Sequence, residues 1–532
     1  MNQNNGQPVY MVLPEGTNRN TGRNAQNQNI EAAKIVAASV RTTLGPKGMD
    51  KMLVNALGDV IISNDGATIL TEMDVDHPAA KMVVEVSQNQ ESEVGDGTTT
   101  VAVFMGELLK KSQELMEQNI HPSVLMRGFR LARDKSMTIL KECSTPVTKE
   151  DRELLRMIAL TALTGKSSET SKNELADLAV DAVISVYDGV NKPSIKIEKK
   201  QGAGIEESEL VHGIILDKEI TYANMPKVIS NAKIAVLTCG LEVKEGERTA
   251  EIRVNTPEQL QAFLQQESEI LKKQVSIIIA SGATMVFTDK AIDDMALHYL
   301  SKRGISAIRR IGKKDIESIS KATGAKIISD LEELTELDLG YAGMVEETRI
   351  GGENMTFIRD CKNPKAVSIL VRGSTDHIAD EAKRSMDDAV LGIVADLEKG
   401  SIVFGGGSIE MEVSRRLKRY ADSVGGREQL AINAFAEALE IIPRTLAEST
   451  GRDPIDMLVE LRNKHDSGET AYGVDVNDNA ISDMKTLGVI EPLKTKTHAY
   501  TAATEATIMM LRIDDVIIAK SATPGPGGMP QQ

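Results

Sequence analysis

Three short turns in this chain, two ahead of helix-like stretches and one between a helix-like and a strand-like segment, place glycine beside hydroxyl or acidic residues, where freed backbone amides can meet an anion. The first is Gly95-Asp96-Gly97-Thr98-Thr99-Thr100, which precedes an amphipathic run. Unsatisfied amides and the positive end of the helix dipole favour phosphate there, and Asp96 offers the hard oxygen that a phosphate-bound Mg²⁺ prefers. An ordinary N-cap and turn would use the same residue types. The second is Thr43-Leu44-Gly45-Pro46-Lys47-Gly48, and the third is Gly405-Gly406-Gly407. Each of these alone reads more simply as a turn or a helix-opening loop, whereas the three together favour a phosphate site. Neither GxxxxGK[ST] nor GxGxxG occurs in its required context, which excludes a P-loop or Rossmann assignment.

Two carboxylates could act on a bound phosphate. Asp388 sits in Arg384-Ser385-Met386-Asp387-Asp388-Ala389-Val390, on a helix whose apolar stripe is Met386, Ala389, Val390, Ile393 and Leu397. At about 100° per residue it points away from that stripe, where a carboxylate is ordinarily solvated. Asp65 in Asn64-Asp65-Gly66 is explained equally well by turn chemistry. The seven histidines form no HExxH pair or clustered ligand spacing, so metal-histidine chemistry is not indicated.

The elements that must position these residues change character along the chain. Residues 1–29 read as an Asn/Gln-rich arm with a strand-like Val9–Leu13. Ile35, Val36, Val40 and Leu44 recur at helical spacing up to Gly45-Pro46. Met52–Val54 and Val60–Ser63 read as short strands, and residues 101–141 as helices. From about Ser194 to Leu370, strand-like runs such as Ile234–Leu237 and Val275–Ala280 alternate with helical stretches. Thr256-Pro257-Glu258-Gln259 has a capping pattern that predicts a helix through about Lys273, with the sparse stripe Leu260, Phe263, Leu264 and Leu271. Past Lys399-Gly400 the pattern is helical again, bent at Pro443, until a strand-like Thr507–Ile518. Residues 246–256 read as a loop and 523–532 as a flexible tail. Helical ends thus flank an α/β middle, and one economical arrangement nests the middle within a unit built by both ends.

At 532 residues, two to four domains are expected. With 41% hydrophobic and 26% charged residues the chain can bury a core, while 3% aromatics, no Trp and 23 Met favour helix-rich packing. A formal charge of −16 without a long basic run argues against nucleic-acid binding. No apolar run reaches the roughly 18 residues of a membrane span. Cys143, Cys239 and Cys361 stand far apart, which points to no disulfide framework and to a reducing compartment, the cytoplasm.

Taken together, Thr43–Asp50, Asn64–Leu70 and Gly95–Thr100 resemble the group II chaperonins of the thermosome type. Lys321–Ile327, Gly405–Gly407 and Val489-Ile490-Glu491-Pro492-Leu493 resemble later segments of that family in order, so the likeness runs from about Pro8 to Lys520. It implies a multidomain α and α/β fold: a helical equatorial ATP-binding domain from 1–149 and 402–532, a small intermediate hinge domain from 150–218 and 368–401, and an inserted α/β apical domain, 219–367, with a helical protrusion.

The resemblance also implies ATP and Mg²⁺. Asp96 would hold the metal, and Leu44, Gly45, Pro46, Gly97, Thr98, Thr99 and Thr100 would cradle the phosphates. Gly406 and Gly407 would approach the ribose or base, and Glu491 and Lys496 would close the pocket. Asp388 would activate the attacking water with help from Asp65, which overrides the solvated reading, and Gly165-Lys166 would sense the nucleotide. Implied partners are unfolded client proteins and further subunits in stacked double rings, with or without a paralogue. Glu245–Val275 would be a built-in lid, so that no separate co-chaperonin is required. Asn24 and Asn55 stand where relatives are expected to carry Asp. A small-molecule kinase using the same turns and a non-catalytic ring or filament subunit are the alternatives.

Overall fold

The computed structural model describes residues 18–54, 58, 60–166, 171–188, 194–243, 257–362 and 364–518. The strand-like Val9–Leu13, Asn55, the loop 246–256 and the tail 523–532 lie outside these. Both ends of the described chain build one helical unit. Helices Gly22–Arg41, Pro78–Val94, Thr98–Glu117 and Pro122–Cys143 share a core with Ser408–Val424, Glu428–Leu439 and Leu493–Leu511. The Thr98 helix is buried on most of its surface, consistent with its run of Val101, Phe104, Met105, Leu108 and Leu109. Phe104 meets Phe435 edge-on at 5.3 Å between ring centroids and lies 5.5 Å from Tyr500. Strand Asn18–Thr21 pairs antiparallel with Asp515–Ile518, and Arg19 bonds to Asp515 across them.

A second unit packs helices Arg152–Leu163, Lys172–Val186 and Asp376–Lys399 on a sheet in which Ala366–Gly373 lies between parallel Ser194–Gln201 and antiparallel Glu209–Val211. The third unit is α/β. Strands Val228–Leu237, Met285–Thr288 and Ser306–Ile308 are parallel and joined by helices Pro257–Ser281 and Asp294–Lys302, and the hairpin Gly340–Ile350/Glu353–Arg359 extends the sheet to Ile214–Leu216. The helical, α/β, helical reading therefore holds. Among the described residues, no helix is long and apolar enough to cross a membrane.

Three local expectations change. Val275–Ala280 is not a strand: the Pro257 helix continues to Ser281, because Leu271, Val275 and Ile278 fall at helical spacing and all enter the α/β core. Its C-terminal half is thus anchored rather than sparse. Thr507–Leu511 is likewise helical, buried at Thr507, Ile508, Met510 and Leu511, and the strand begins at Asp515. The bend assigned to Pro443 falls before it, since Glu440 separates two helices and Pro443 occupies the first turn of the second, where its missing N–H costs nothing.

Asp396, on the Asp376 helix, is fully buried and neither carboxyl oxygen has a hydrogen-bond partner. Burial, with Asp151 adding repulsion, pushes its carboxyl from the usual 3.8 up to about 7. A raised carboxyl destabilises the folded state wherever the unfolded chain is ionised, so the penalty grows from pH 3.8 and is complete above pH 7. Asp396→Asn is therefore expected to stabilise the subunit by on the order of 2–4 kcal/mol at pH 8. The gain in Tm over wild type, followed by thermal denaturation from pH 8 to pH 4, should shrink steadily as the pH falls.

Candidate active site

A cleft of about 700 Å³ opens between the helical unit and the second unit. Residues far apart in sequence line it together: Leu44, Gly45 and Pro46; Asp65; Asp96, Gly97, Thr98, Thr99 and Thr100; Gly165 and Lys166; Asp388; Gly406 and Gly407; Glu491 and Lys496. Every residue that the resemblance assigned to the nucleotide site reaches this one space.

Two glycine-capped helix N-termini open onto the cleft without a side-chain cap. Gly97 is the N-cap of the Thr98 helix at φ +81, a left-handed conformation that glycine adopts without strain, and a Cβ there would crowd Thr495 and Gln90. The first amides of that helix are left for a ligand. Gly407 caps the Ser408 helix in the same way, and Gly406 beside it has φ +62 with no room for a Cβ against Met484. Asp65 ties the first of these ends to its neighbour: Oδ2 accepts from the Thr68 amide at 2.7 Å and Oδ1 from the Thr98 hydroxyl at 2.8 Å. Asp96 Oδ1 accepts from the Gly97 amide at 2.7 Å, and Gln90 fixes the Asp96 carbonyl at 2.9 Å.

Asp388 comes from the second unit. It points away from the helix's apolar stripe, yet it is buried at 7% exposure because the cleft wall covers it, and Lys166 pairs with it directly. The structure thus replaces the solvated carboxylate expected from helical spacing with an enclosed ion pair. Burial pushes the Asp388 carboxyl well above the usual range, opposed by Lys166 and reinforced by Asp65 and Asp96. Burial alone would lower the Lys166 ammonium, but Asp388, Asp96 and Asp65 outweigh it and keep it charged. Asn64 anchors the loop carrying Lys166 through a 2.6 Å bond to the Gly165 carbonyl. Asp387 is set apart: it borders a separate small crevice with Glu93 and Lys494, and burial pushes it to about 6.

At the base of the cleft, Lys496 Nζ lies 2.8 Å from Glu410 Oε1 and 2.7 Å from Glu491 Oε2, in a setting that is almost fully enclosed. The two carboxylates outweigh burial and hold Lys496 charged, while burial raises Glu491. Glu410 was invisible to sequence reasoning, since a glutamate on a helix with charged neighbours reads as solvent-facing. Also missed were Thr43, Asn64 and the loop Asp475–Asp478, all of which line the cleft. The loop follows strand Tyr472–Asp475, and Asp475 Oδ1 accepts from the Asn477 and Asp478 amides at 3.0 and 3.2 Å. Its Asn/Asp-rich run Asp475–Asn479 is a turn signal that could have been read.

The donor set fits a nucleotide with Mg²⁺ better than a bare metal. Among the described residues no group of three or more His, Cys, Asp or Glu could hold a metal ion. One carboxylate beside a phosphate-friendly helix end is instead what Mg²⁺ on a triphosphate requires, since that ion keeps its waters and leans on phosphate oxygens.

The TCP-1/cpn60 chaperonin family model matches residues 36–521. The chain is 53% identical to thermosome subunit beta of Archaeoglobus fulgidus, over 99% of this chain and 98% of that protein. It is 54% identical to thermosome subunit alpha of the same organism, over 97% and 95%. Against thermosome subunit alpha of Thermoplasma acidophilum the identity is 52%, over 99% and 98%. With a likeness of this depth along nearly its whole length, and a cleft that gathers the three glycine turns, the chain belongs to the TCP-1/cpn60 chaperonin family and is an ATP-hydrolysing chaperonin of the group II, thermosome type.

Proposed function

We propose that this cleft is where ATP is bound and split to drive the folding of client polypeptides, and that the geometry divides the work between two units. The supporting observation is that the phosphate-friendly turns belong to the helical unit while Asp388 and Lys166 belong to the second unit, and both face one cleft. In this reading 1–149 and 402–532 form the equatorial ATP-binding domain, 150–218 and 368–401 the intermediate hinge, and 219–367 the apical domain. Leu44, Gly45, Pro46, Gly97, Thr98, Thr99 and Thr100 hold the phosphates, Gly406 and Gly407 face the ribose or base, and Glu491 with Lys496 closes the base of the pocket. Asp96 would hold Mg²⁺, which when bound neutralises charge on the phosphate oxygens.

Asp388 accepts a proton from the attacking water as its oxygen bonds to the γ-phosphorus and the bond to ADP breaks. Its burial-raised basicity suits that task. Asp65 fixes the Thr98 hydroxyl beside it. Lys166 pairs with Asp388, and a rotation of the second unit would carry both toward or away from the phosphate-friendly turns. Further subunits, identical or paralogous, would complete stacked double rings, since relatives carry the names alpha and beta. The cytoplasm is the compartment this reading requires. A kinase or an inert structural subunit accounts less well for a water-activating carboxylate poised over the cleft.

Asp388→Asn is expected to lower ATP turnover by about 100-fold or more, the scale of a lost general base, with nucleotide affinity within about threefold of wild type. Phosphate release and equilibrium binding measured separately check this, and unaltered turnover would remove Asp388 from the chemistry. Asp96→Ala should weaken binding of ATP with Mg²⁺ by about tenfold or more while leaving metal-free ATP binding nearly unchanged. Titration calorimetry with and without Mg²⁺ gives the answer.

The helix Pro257–Ser281 supports a built-in lid, because among the described side chains Gln261, Gln265 and Gln266 are exposed while Leu271, Val275 and Ile278 enter the core. Burial of Leu271 and Val275 means that the lid segment ends earlier than Val275. Replacing 245–264 with a Gly/Ser linker should preserve assembly and ATPase while abolishing protease protection of a captured client. Full protection in the shortened protein would refute the lid and reopen the need for a separate co-chaperonin.

A further inference from the structure

His465, near the end of helix Pro454–Asp466, has no exposed surface and does not line the cleft. Its Nδ1 lies 3.0 Å from Glu412 Oε2 and its Nε2 lies 2.9 Å from the Tyr472 carbonyl oxygen. Both partners are acceptors, so the two bonds coexist only when the ring carries a proton on each nitrogen. Glu412 is itself fixed: Arg415 and Arg416 bond to its Oε1 at 2.7 and 2.6 Å. Burial would raise the Glu412 carboxyl, but the bonds from His465, Arg415 and Arg416 outweigh it and hold it at about 2, so it stays an acceptor.

These contacts close a circuit around one edge of the cleft. Gly407 opens the Ser408 helix, that helix carries Glu412, and Glu412 holds His465. His465 holds the Tyr472 carbonyl at the start of strand Tyr472–Asp475, and two residues further along the strand the Val474 amide returns a 2.8 Å bond to the Gly406 carbonyl. The Ser408 hydroxyl adds a second tie, 2.9 Å to the Thr470 carbonyl. Val474, Asp475 and Asp478 line the cleft, as do Gly406 and Gly407. The floor of the site is therefore a glycine turn and a short strand that are joined to each other directly by one backbone bond and indirectly through His465.

We propose that His465 is a positioning residue for nucleotide binding: through Glu412 on one side and the Tyr472 carbonyl on the other, it sets the spacing between the Gly406-Gly407 turn and the Tyr472–Asp475 strand. Because the hydrolytic groups Asp65, Asp96, Lys166 and Asp388 are supplied by other elements, loosening this circuit changes affinity and leaves the chemical step intact. The inference rests on the nucleotide reading of the cleft.

Two amide substitutions separate the two bonds. Gln places its terminal NH₂ near the position of Nε2 and keeps the donor to Tyr472, whereas Asn places its NH₂ near Nδ1 and keeps only the donor to Glu412. His465→Asn should raise KM for ATP about tenfold, the scale of a lost charge-assisted hydrogen bond, with kcat within about twofold of wild type. His465→Gln should hold KM within about threefold, and the two variants should have similar Tm. A merely structural histidine would give the two variants the same KM, and that result, or a fall in kcat at unchanged KM, overturns the proposal. Should either variant fail to fold, Ser408→Ala releases the segment that leads into the same strand at Thr470 and must raise KM in the same direction; an unchanged KM there counts against the proposal. Gly406→Ala separates the two levels of the argument. If it leaves ATP affinity intact, the nucleotide reading at this edge fails; if it weakens binding while His465→Asn does not, only the positioning role fails.

Discussion

The shared apolar core of the two chain ends is the constraint on which the rest of the structure depends. Phe104, Phe435 and Tyr500 come from positions more than 300 residues apart along the chain at their widest and meet within 5.5 Å. A buried aromatic side chain contributes roughly 1.5–3 kcal/mol, and a well-placed aromatic pair about 0.5–1.5 more. Once helices from residues 22–143 and 408–511 are bound in this way, the chain between them leaves at Thr145–Pro146 and returns at Ser401–Phe404, two segments that pair antiparallel. The Thr98 helix and the Ser408 helix then bring their open N-termini to one space, although neither turn could form the site alone.

Burial of charge is the second theme. Asp388 with Lys166 and Lys496 between Glu410 and Glu491 are removed from water at the cleft, and behind its edge Glu412 and His465 are buried with two half-buried arginines. Such groups add little net stability, because desolvation offsets their attraction, but removing one partner of a buried pair costs about 3–5 kcal/mol. Their value is therefore geometric. Each fixes the direction of a backbone segment or a carboxylate that apolar packing would leave free, and each lies at a junction between elements rather than inside one.

The three clusters differ in what can undo them. Glu410, Glu491 and Lys496 all belong to parts of the chain that contribute to the helical unit or its short three-stranded sheet with Ser401–Phe404, so the cluster is internal to the base of the site. Lys166 and Asp388 instead belong to the second unit, whose apolar core is separate from that of the helices below. An ion pair carried on one rigid layer above phosphate-friendly turns on another is suited to respond to what lies between them.

The sequence by itself determined a good deal of this protein. Local backbone chemistry is written in residue type, so Gly97, Gly406 and the turns they make were legible, as was the change from helical to α/β and back, because periodicity of 3.6 or 2 needs only near neighbours. Resemblance then gave order and meaning to motifs that were each ambiguous alone. What only the tertiary structure decided was burial. Helical spacing correctly turned Asp388 away from its stripe but could not show that a second surface covers it. Nor could it show that Val275 and Ile278 find a core on a helix rather than a strand, since β-branched runs fit either until the partner surface is present. Glu410, Glu412 and His465 look like ordinary polar side chains in the sequence. Whether a charge meets water or a partner depends on residues brought near by the fold, and no local pattern carries that information.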